Sequence, residues 1–257
     1  MTFFRHKLAL WIAAAGVLLL LPALAPAATI DKVVNVNVFV YCDNSGANCA
    51  STGPSGDLFF ATEVNKIWAQ AGIQVDFTLS GYRDSTNYMN IDDASAGHKF
   101  CEIYNSCVFN NLSSTVETLL LVHTIAGAYG EGWIGAGGMV IAMDTVMAYN
   151  SGAGRLDTIA HELGHNLGLV PGTSAEFDGS FHDIYANDLM ASGGIRNTPT
   201  ALNQISTDGL TGLDRLPADQ VTTARASDLL QNAPEPGTWL LMSCGMGGIL
   251  LLRRRNA

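Results

Sequence analysis

The segment His161-Glu162-Leu163-Gly164-His165 constrains the fold of this 257-residue chain more than any other stretch. Apolar residues recur around it at helical spacing, which predicts an amphipathic helix; they are Leu156, Ile159, Ala160, Leu163 and Leu167. Side chains four positions apart lie on one face of a helix, so His161 and His165 would direct two imidazoles at one point. This arrangement suits a tetrahedral zinc ion, which binds histidine nitrogen at about 2.0–2.1 Å.

Two neighbouring residues extend this interpretation. Glu162 is offset by one position from the first histidine, so it would lie beside the metal and take a proton from a water molecule there. Gly168 follows about one turn after His165, where helices commonly end on a left-handed residue. The competing interpretation is an ordinary amphipathic helix with two solvent-facing histidines, and the added glycine and the downstream sequence both disfavour it.

Residues 155–192 resemble the metzincin clan of zinc endopeptidases, and within it the matrixin-like branch. The clan pattern is HExxHxxGxxH (or D), followed by a turn that carries a methionine beneath the metal. This chain departs from the pattern, because Pro171 occupies the expected third-ligand position and cannot bind zinc. The interval of eight residues from His182 to Met190 is similar to the histidine-to-methionine interval of matrixins.

The resemblance therefore implies an insertion of about eleven residues before the third ligand, which would be His182. Asp178 is the rival ligand, since some clan members use aspartate there, and Glu176 and Asp183 are less favoured alternatives. The resemblance also implies that Leu189-Met190-Ala191 forms the methionine turn. The alternative for Met190 is a plain core residue, because methionine fills cores routinely.

The function implied by this resemblance is a metalloendopeptidase that uses Zn²⁺ and acts on protein or peptide substrates. Glu162 would be its catalytic residue, and His161, His165 and His182 would be its metal ligands. The alternative is a catalytically silent protein of metzincin fold at the cell surface or in a biofilm matrix. An intact Glu162 disfavours this alternative, because a binding module needs no base at that position.

The N-terminus has the pattern of a signal peptide. A positively charged start at 5–7 precedes an apolar run at 8–21, and Ala25-Pro26-Ala27 provides a small-residue cleavage site. Cleavage after Ala27 is therefore expected. The alternative is an uncleaved membrane anchor, which the short apolar run and the cleavage site disfavour.

The C-terminus has a second targeting pattern. Pro234-Glu235-Pro236 precedes an apolar run at 237–252 and three arginines at 253–255. This tail resembles the PEP-CTERM sorting signal of Gram-negative, exopolysaccharide-producing bacteria. It implies processing by an exosortase-type enzyme, export across the inner membrane, and delivery to the cell surface or extracellular matrix. The run is slightly short for a transmembrane helix, which needs about 20 residues. The alternative is a buried C-terminal helix, which the adjacent arginines disfavour.

Between these signals, residues 28–233 are long enough for one domain, with an N-terminal subdomain to about 168 and a C-terminal subdomain at 169–233. Eight basic residues against 22 acidic ones give this part a net charge of −14. Such acidity excludes binding to nucleic acid or anionic lipid by charge. Contact with a membrane is expected only through the C-terminal segment.

Four cysteines lie in the same part, and an even number in an exported chain favours disulfides. Three connectivities are possible. We favour Cys42–Cys49 and Cys101–Cys107, because each pair brackets a loop rich in small and polar residues. A cysteine metal site is the alternative, but these spacings are longer than those of CxxC-type zinc sites.

The order of elements predicts an α+β, metzincin-like fold. Strands are expected at 33–41, 73–79, 118–124 and 139–143, helices at 57–71 and 218–231, and a long loop at 82–114. The resemblance implies a twisted, mostly parallel sheet whose antiparallel edge strand lies above the substrate cleft. The glycine-rich stretch Gly132–Gly138 is either that edge strand, the loop beside it, or a simple hairpin turn. A small irregular C-terminal subdomain with a terminal helix would follow the zinc helix.

Overall fold

A mixed sheet organises the chain in a computed structural model that describes residues 29–92, 99–103, 115–133, 137–177 and 179–233. Its strands are β1 (Lys32–Cys42), β2 (Ile73–Asp84), β4 (Val116–Val122), β6 (Gly130–Gly132), β7 (Gly138–Ala142) and β8 (Gln231–Asn232). Five of them lie in the order β2-β1-β4-β7-β6, and β8 pairs with the start of β1. The first four strands in this order are parallel, whereas β6 and β8 are antiparallel to their neighbours. The expectation of a mostly parallel sheet with an antiparallel edge strand is confirmed.

Burial explains why these segments form strands. In β1 the valines alternate with asparagines, and Val34, Val36, Val38 and Val40 are all buried in the core. β4 and β7 are almost continuously apolar, which fits strands covered on both faces of a parallel sheet. Both were predicted within two residues of their observed limits.

The first helix, α1 (Ala61–Ala69), is shorter than the predicted helix at 57–71. Phe59 and Phe60 have left-handed backbone angles (φ +63° and +52°) that interrupt the helix before Ala61. Both rings are buried by this turn, whereas Leu58 is 46% exposed. Leu58, near the start of the predicted helix, therefore lies outside the core, while Val64, Ile67 and Trp68 face it.

The region predicted as a loop at 82–114 contains regular structure. β2 continues to Asp84, and a two-residue strand β3 (Asn90–Ile91) pairs in parallel with β5 (Thr124–Ile125) in a second small sheet. A short helix α2 (Lys99–Ile103) follows. Another helix, α3 (Met143–Gly152), follows β7 and was not predicted. Half of its residues are apolar but do not follow a helical period, and the backbone leaves helical angles at Tyr149, Asn150 and Ser151.

The C-terminal half after 168 is mostly irregular, as predicted, and carries a last helix α5 (Ala218–Arg225). This helix ends earlier than the predicted limit of 231, because residues 231–232 form β8 and hydrogen-bond with Lys32 and Val33. The domain therefore closes on its own first strand. Within the described ranges, every helix is too short or too polar to span a bilayer.

Some predictions fall outside the described residues. These include the signal peptide at 1–27, the sorting tail at 234–257, Cys107 and the rival ligand Asp178. Cys42 and Cys49 form a disulfide, as expected from the loop between them. The second predicted pair, Cys101–Cys107, stays a prediction.

Candidate metal centre and catalytic cleft

The helix that carries the HExxH motif is α4 (Thr158–Asn166), and all nine of its residues are buried. The alternative of solvent-facing histidines is wrong, since His161 is only 4% and His165 only 6% exposed. Leu167 caps the helix, and Gly168 follows in the left-handed region at φ +94°. The Leu169 N–H then donates to the carbonyl of Gly164 at 2.9 Å, which turns the chain back as the glycine predicts.

Three imidazoles converge at one point beside this helix. One ring nitrogen from each of His161, His165 and His182 lies within 4.8 Å of the others. The ring centroids of His161 and His165 are 4.9 Å apart, and His182 lies 5.4 Å and 5.5 Å from them. A tetrahedral zinc ion separates its ligand nitrogens by about 3.4 Å, so small side-chain rotations would complete the site.

Hydrogen bonds orient the two helical histidines. His161 Nδ1 lies 2.7 Å from the Leu189 carbonyl oxygen, and His165 Nδ1 lies 3.0 Å from that of Leu169. A carbonyl oxygen can only accept, so Nδ1 of His165 carries the proton and its Nε2 presents the lone pair. This second contact is typical of metal-binding histidines, because it selects the tautomer and the ring orientation. His161 Nδ1 also contacts the Arg196 guanidinium, which can only donate, so its two contacts favour opposite tautomers.

Burial keeps these imidazoles neutral. It is the main cause that lowers the pKa of His161 well below its usual range and that of His165 to about 4. A neutral imidazole is the form that binds a metal ion. His161 and His165 can therefore bind a cation near neutral pH without first losing a proton.

The insertion after Gly168 returns to the helix at His182. The Asp183 N–H donates to the Met190 carbonyl at 2.9 Å, and the Ile184 N–H donates to that of Glu176 at 3.2 Å. The buried Asp183 carboxylate also accepts a hydrogen bond of 2.7 Å from Gln220 of α5. These contacts hold the segment that carries His182 against the segment Leu189-Met190-Ala191.

Met190 lies directly beneath α4. A Cβ atom added at Gly164 would lie 2.4 Å from Met190 Sδ, so only glycine allows this approach. Met190 is fully buried, as is Leu189, whose carbonyl oxygen binds His161. The methionine thus supports the two-histidine turn of the helix from below.

The less favoured ligands lie elsewhere. Glu176 and Asp183 form a separate carboxylate group with Asp188, in which oxygen atoms lie within 4.8 Å of one another. Arg215 donates to Asp188 at 2.6 Å and neutralises part of this group. Neither Glu176 nor Asp183 is placed with the imidazoles.

Glu162 is held between α4 and the edge strand β6. A Cβ at Gly130 would lie 2.8 Å from Glu162 Cγ, and one at Gly132 would lie 2.8 Å from the Glu162 carbonyl oxygen. The two glycines therefore let the edge strand approach the Glu162 carboxylate. β6 occupies 130–132, so the predicted Gly132–Gly138 stretch supplies only its last residue and the connection to β7.

The environment of Glu162 favours its neutral form. Burial raises its pKa to about 8; Arg196 opposes this shift, and the nearby Glu131 adds to it. Burial also raises the pKa of Glu131. These shifts describe the protein without a cation, and a dication at the histidines would favour the ionised carboxylate.

A buried charge cluster behind His161 was missed by the sequence reasoning. Arg196 Nε lies 3.0 Å from Asp157, and Arg155 Nε lies 3.4 Å from the same carboxylate. Arg196 also donates to the Leu189 carbonyl at 2.9 Å and contacts His161 Nδ1. No motif or spacing marks these residues, although Arg155 and Asp157 lie just before α4.

Arg155 and Arg196 line an open cleft of about 650 Å³ that also contains the three histidines and Glu162. The remaining lining residues come from the edge-strand region and from the segments around His182 and Arg196; they are Gly127, Ala128, Tyr129, Gly130, Glu131, Gly132, Thr158, Phe181, Gly193 and Gly194. The candidate metal centre is therefore accessible to a ligand of peptide size.

No protein-family model matches the chain, and no curated protein is similar to it in sequence. Among solved structures it is similar to mature mirolysin of Tannerella forsythia in complex with a cleaved peptide, at 15% identity and a TM-score of 0.45, over 78% of this chain and 92% of that one. Metalloproteinase-II of Bacteroides fragilis is similar at 16% identity and a TM-score of 0.42, over 77% and 54% of the two chains. A chaperone–substrate complex is similar at 15% identity and a TM-score of 0.44 over 78% of this chain, which spans about a third (35%) of that chain's length.

Proposed function

We propose that this protein is an exported zinc-dependent metalloendopeptidase that hydrolyses peptide bonds in protein or peptide substrates. The observation that carries the proposal is the convergence of three histidine nitrogens within 4.8 Å, in an open cleft that also contains the buried Glu162. A solely structural role would not require a buried carboxylate in an open cleft beside three histidines.

The donor set fits zinc. Three neutral imidazole nitrogens with one position open to the cleft are the ligand pattern of catalytic rather than structural zinc sites. When bound, zinc would polarise the scissile carbonyl and bring the pKa of a coordinated water to about 7.

Glu162 would act as the general base and then as the general acid. It would take a proton from the attacking water and deliver it to the leaving amine. The Gly132 N–H hydrogen-bonds to its carboxylate and opposes a small part of the effect of burial on its pKa, and a dication at the histidines would favour the ionised form that a base requires. Burial by the edge strand keeps the carboxylate beside the metal-binding histidines and away from bulk water.

The edge strand would bind the substrate. β6 pairs with β7 on one side, and on its other side no strand is present among the described residues. An extended peptide can add to such an edge through backbone hydrogen bonds, and the antiparallel arrangement is the more stable per residue. This would place the scissile bond above Glu162 and the histidines.

Zinc analysis together with cleavage of a denatured protein tests the proposal. The purified domain should contain about one zinc ion per chain, cleave the substrate, lose activity with a chelator and regain it with zinc. Zinc-loaded protein that cleaves no protein or peptide would contradict the proposal and favour the catalytically silent alternative.

The export route is part of the proposal and rests on the two terminal segments. Expression in the native host with residues 234–257 deleted should release a folded, soluble enzyme to the exterior, because the domain closes at residue 233 on β1. Cell fractionation and zymography measure this result. An unfolded truncated domain would show that the tail belongs to the core.

A further inference from the structure

The cleft continues past His161 to a floor built from two arginines. Arg155 and Arg196 both line it, and their side chains are only 5% and 4% exposed. Thr158, one helical turn before His161, lines the same part. These two buried guanidinium groups share one buried carboxylate, Asp157, and burial of the second positive charge is costly unless another anion binds there.

The donors of Arg155 are only partly used by the protein, since its Nε forms an ion pair with Asp157 at 3.4 Å but no hydrogen bond. Its guanidinium stacks over the Tyr129 ring at 4.5 Å, a contact that uses the charge and leaves the N–H groups available. Its Nε and Nη2 are buried without a hydrogen-bond partner within the described structure, and so is Thr158 Oγ1. Arg155 and Thr158 both line the cleft, so a ligand that displaced the atoms covering these buried groups could satisfy them.

The acidic residues near the cleft do not neutralise the positive charge of Arg155 and Arg196. Asp157 pairs with both arginines but lies behind them, and it is not among the described residues that line the cleft. Burial raises the pKa of Asp214 well above its usual range, and the adjacent Asp157 adds to this shift. Glu131 and Glu162 do line the cleft, but they lie together at the metal end, where a dication would offset them.

The direction of the edge strand identifies which substrate residue meets this floor. β6 begins after Tyr129, which contacts Arg155, and ends before Trp133, whose carbonyl accepts a hydrogen bond of 2.8 Å from Asn166 at the far end of α4. An antiparallel peptide would therefore enter near Trp133 and leave near Tyr129. The floor then lies on the carboxyl side of the scissile bond.

We propose that Arg155, assisted by Arg196 and Thr158, forms a specificity pocket for an acidic side chain, aspartate or glutamate, in the residue directly after the scissile bond. This inference rests on the proposed peptidase function. A carboxylate in the pocket would accept charge-assisted hydrogen bonds from the Arg155 guanidinium, and such bonds are about twice as strong as neutral ones. A lysine or arginine side chain would be repelled.

Matched peptides test the pocket. They differ only after the scissile bond, in Glu, Asp, Gln, Leu or Lys, and each is made with a free and an amidated C-terminus. The zinc-loaded protein should cleave the Glu or Asp peptide with kcat/KM at least about tenfold above the Gln peptide, and the Lys peptide least. Equal or better cleavage of the Gln or Leu peptide would overturn the inference, and so would a preference that requires a free C-terminus.

Variants separate the pocket from the fold. Arg155→Gln should bring the Glu-to-Gln ratio close to one, whereas Arg83→Gln should leave it unchanged. Arg83 is a matched control, because its guanidinium stacks over Phe39 at 4.4 Å on an exposed part of β2. Gly193→Leu is a second variant, since a Cβ there would lie in ordinary contact, 3.8 Å from Arg155 Nη1, and the longer side chain would cover the guanidinium. An unchanged ratio in folded Arg155→Gln or Gly193→Leu would contradict the assignment.

A binding measurement keeps this inference distinct from the peptidase proposal. Fluorescence anisotropy of the same labelled peptides with zinc-loaded Glu162→Gln protein should show about tenfold tighter binding of the Glu peptide than of the Gln peptide. This difference, with no hydrolysis by the wild-type protein, would support the pocket and contradict the peptidase function. Zinc-dependent hydrolysis with equal binding of both peptides would contradict the pocket alone.

Discussion

The contact between Gly164 and Met190 leads to a prediction about stability. Replacing an interior helical glycine with alanine normally stabilises a protein by about 1 kcal/mol. At Gly164, however, the added Cβ would lie 2.4 Å from Met190 Sδ and 3.1 Å from its Cε. Non-bonded heavy atoms need roughly 3.5–4.0 Å, so the fully buried methionine would have to move by about 1 Å or more.

This displacement sets the expected magnitude. Overpacking of a filled core costs about 1–3 kcal/mol, so Gly164→Ala should destabilise the wild-type domain by up to about 2 kcal/mol after the helical gain is subtracted. In a Met190→Ala background the overlap is absent. There the same substitution should stabilise by about 1 kcal/mol, which gives a coupling energy of about 1–3 kcal/mol.

Urea unfolding of the four proteins, with a chelator present so that metal binding does not contribute, measures this coupling. Circular dichroism at zero denaturant establishes that each variant is folded. If Gly164→Ala changed the free energy of unfolding equally in both backgrounds, within about 0.5 kcal/mol, the two residues would not be in contact. The placement of Met190 beneath the helix would then be wrong.

Three further predictions concern single side chains. Glu162→Gln should keep zinc but lose at least the ~10²–10⁴-fold supplied by general-base catalysis, and a near wild-type cleavage rate would contradict its assigned role. His182→Ala should lose most bound zinc and all hydrolysis, while Asp178→Ala should keep zinc and lose at most about 10–100-fold in affinity. The metal content of the two purified variants measures this difference. The reverse pattern would make Asp178 the ligand. Burial raises the pKa of Glu117 well above its ordinary 4.5. The folded protein therefore keeps a proton that the unfolded chain releases, and the free energy of unfolding should fall as pH rises from about 4.5 towards the pKa in the folded state. Glu117→Gln should remove this fall and be the more stable protein at about pH 8 in thermal unfolding, and equal pH dependence of the two proteins would argue against a buried, protonated Glu117.

Local patterns in the sequence determined the elements that frame the site. The alternation of β1, the apolar runs of β4 and β7, and the spacing of His161 and His165 are all properties of neighbouring residues. The period of a helix or a strand fixes which residues of a segment lie on the same face. These elements could therefore be predicted without knowing what they pack against. Gly168 belongs to the same group, because a left-handed helix end depends mainly on the absence of a Cβ.

Tertiary contacts decided the elements that the pattern missed. The left-handed turn at Phe59 and Phe60 is disfavoured locally, and it occurs because it buries both rings. The last helix stops at Arg225 because residues 231–232 gain strand hydrogen bonds with β1, almost 200 positions earlier. Neither result follows from the residues nearby in the chain.

The site divides in the same way. Glu162 and the two helical histidines form a short motif whose chemistry depends on spacing alone, so the sequence by itself indicates them. The placement of His182 depends on backbone pairing of Asp183 with Met190, and the cationic floor depends on Arg155 and Arg196 meeting from opposite sides of Asp157. These residues are distant in sequence or carry no motif, so the sequence does not indicate them. Their burial and their charge pairing arise only from contacts made in the folded chain.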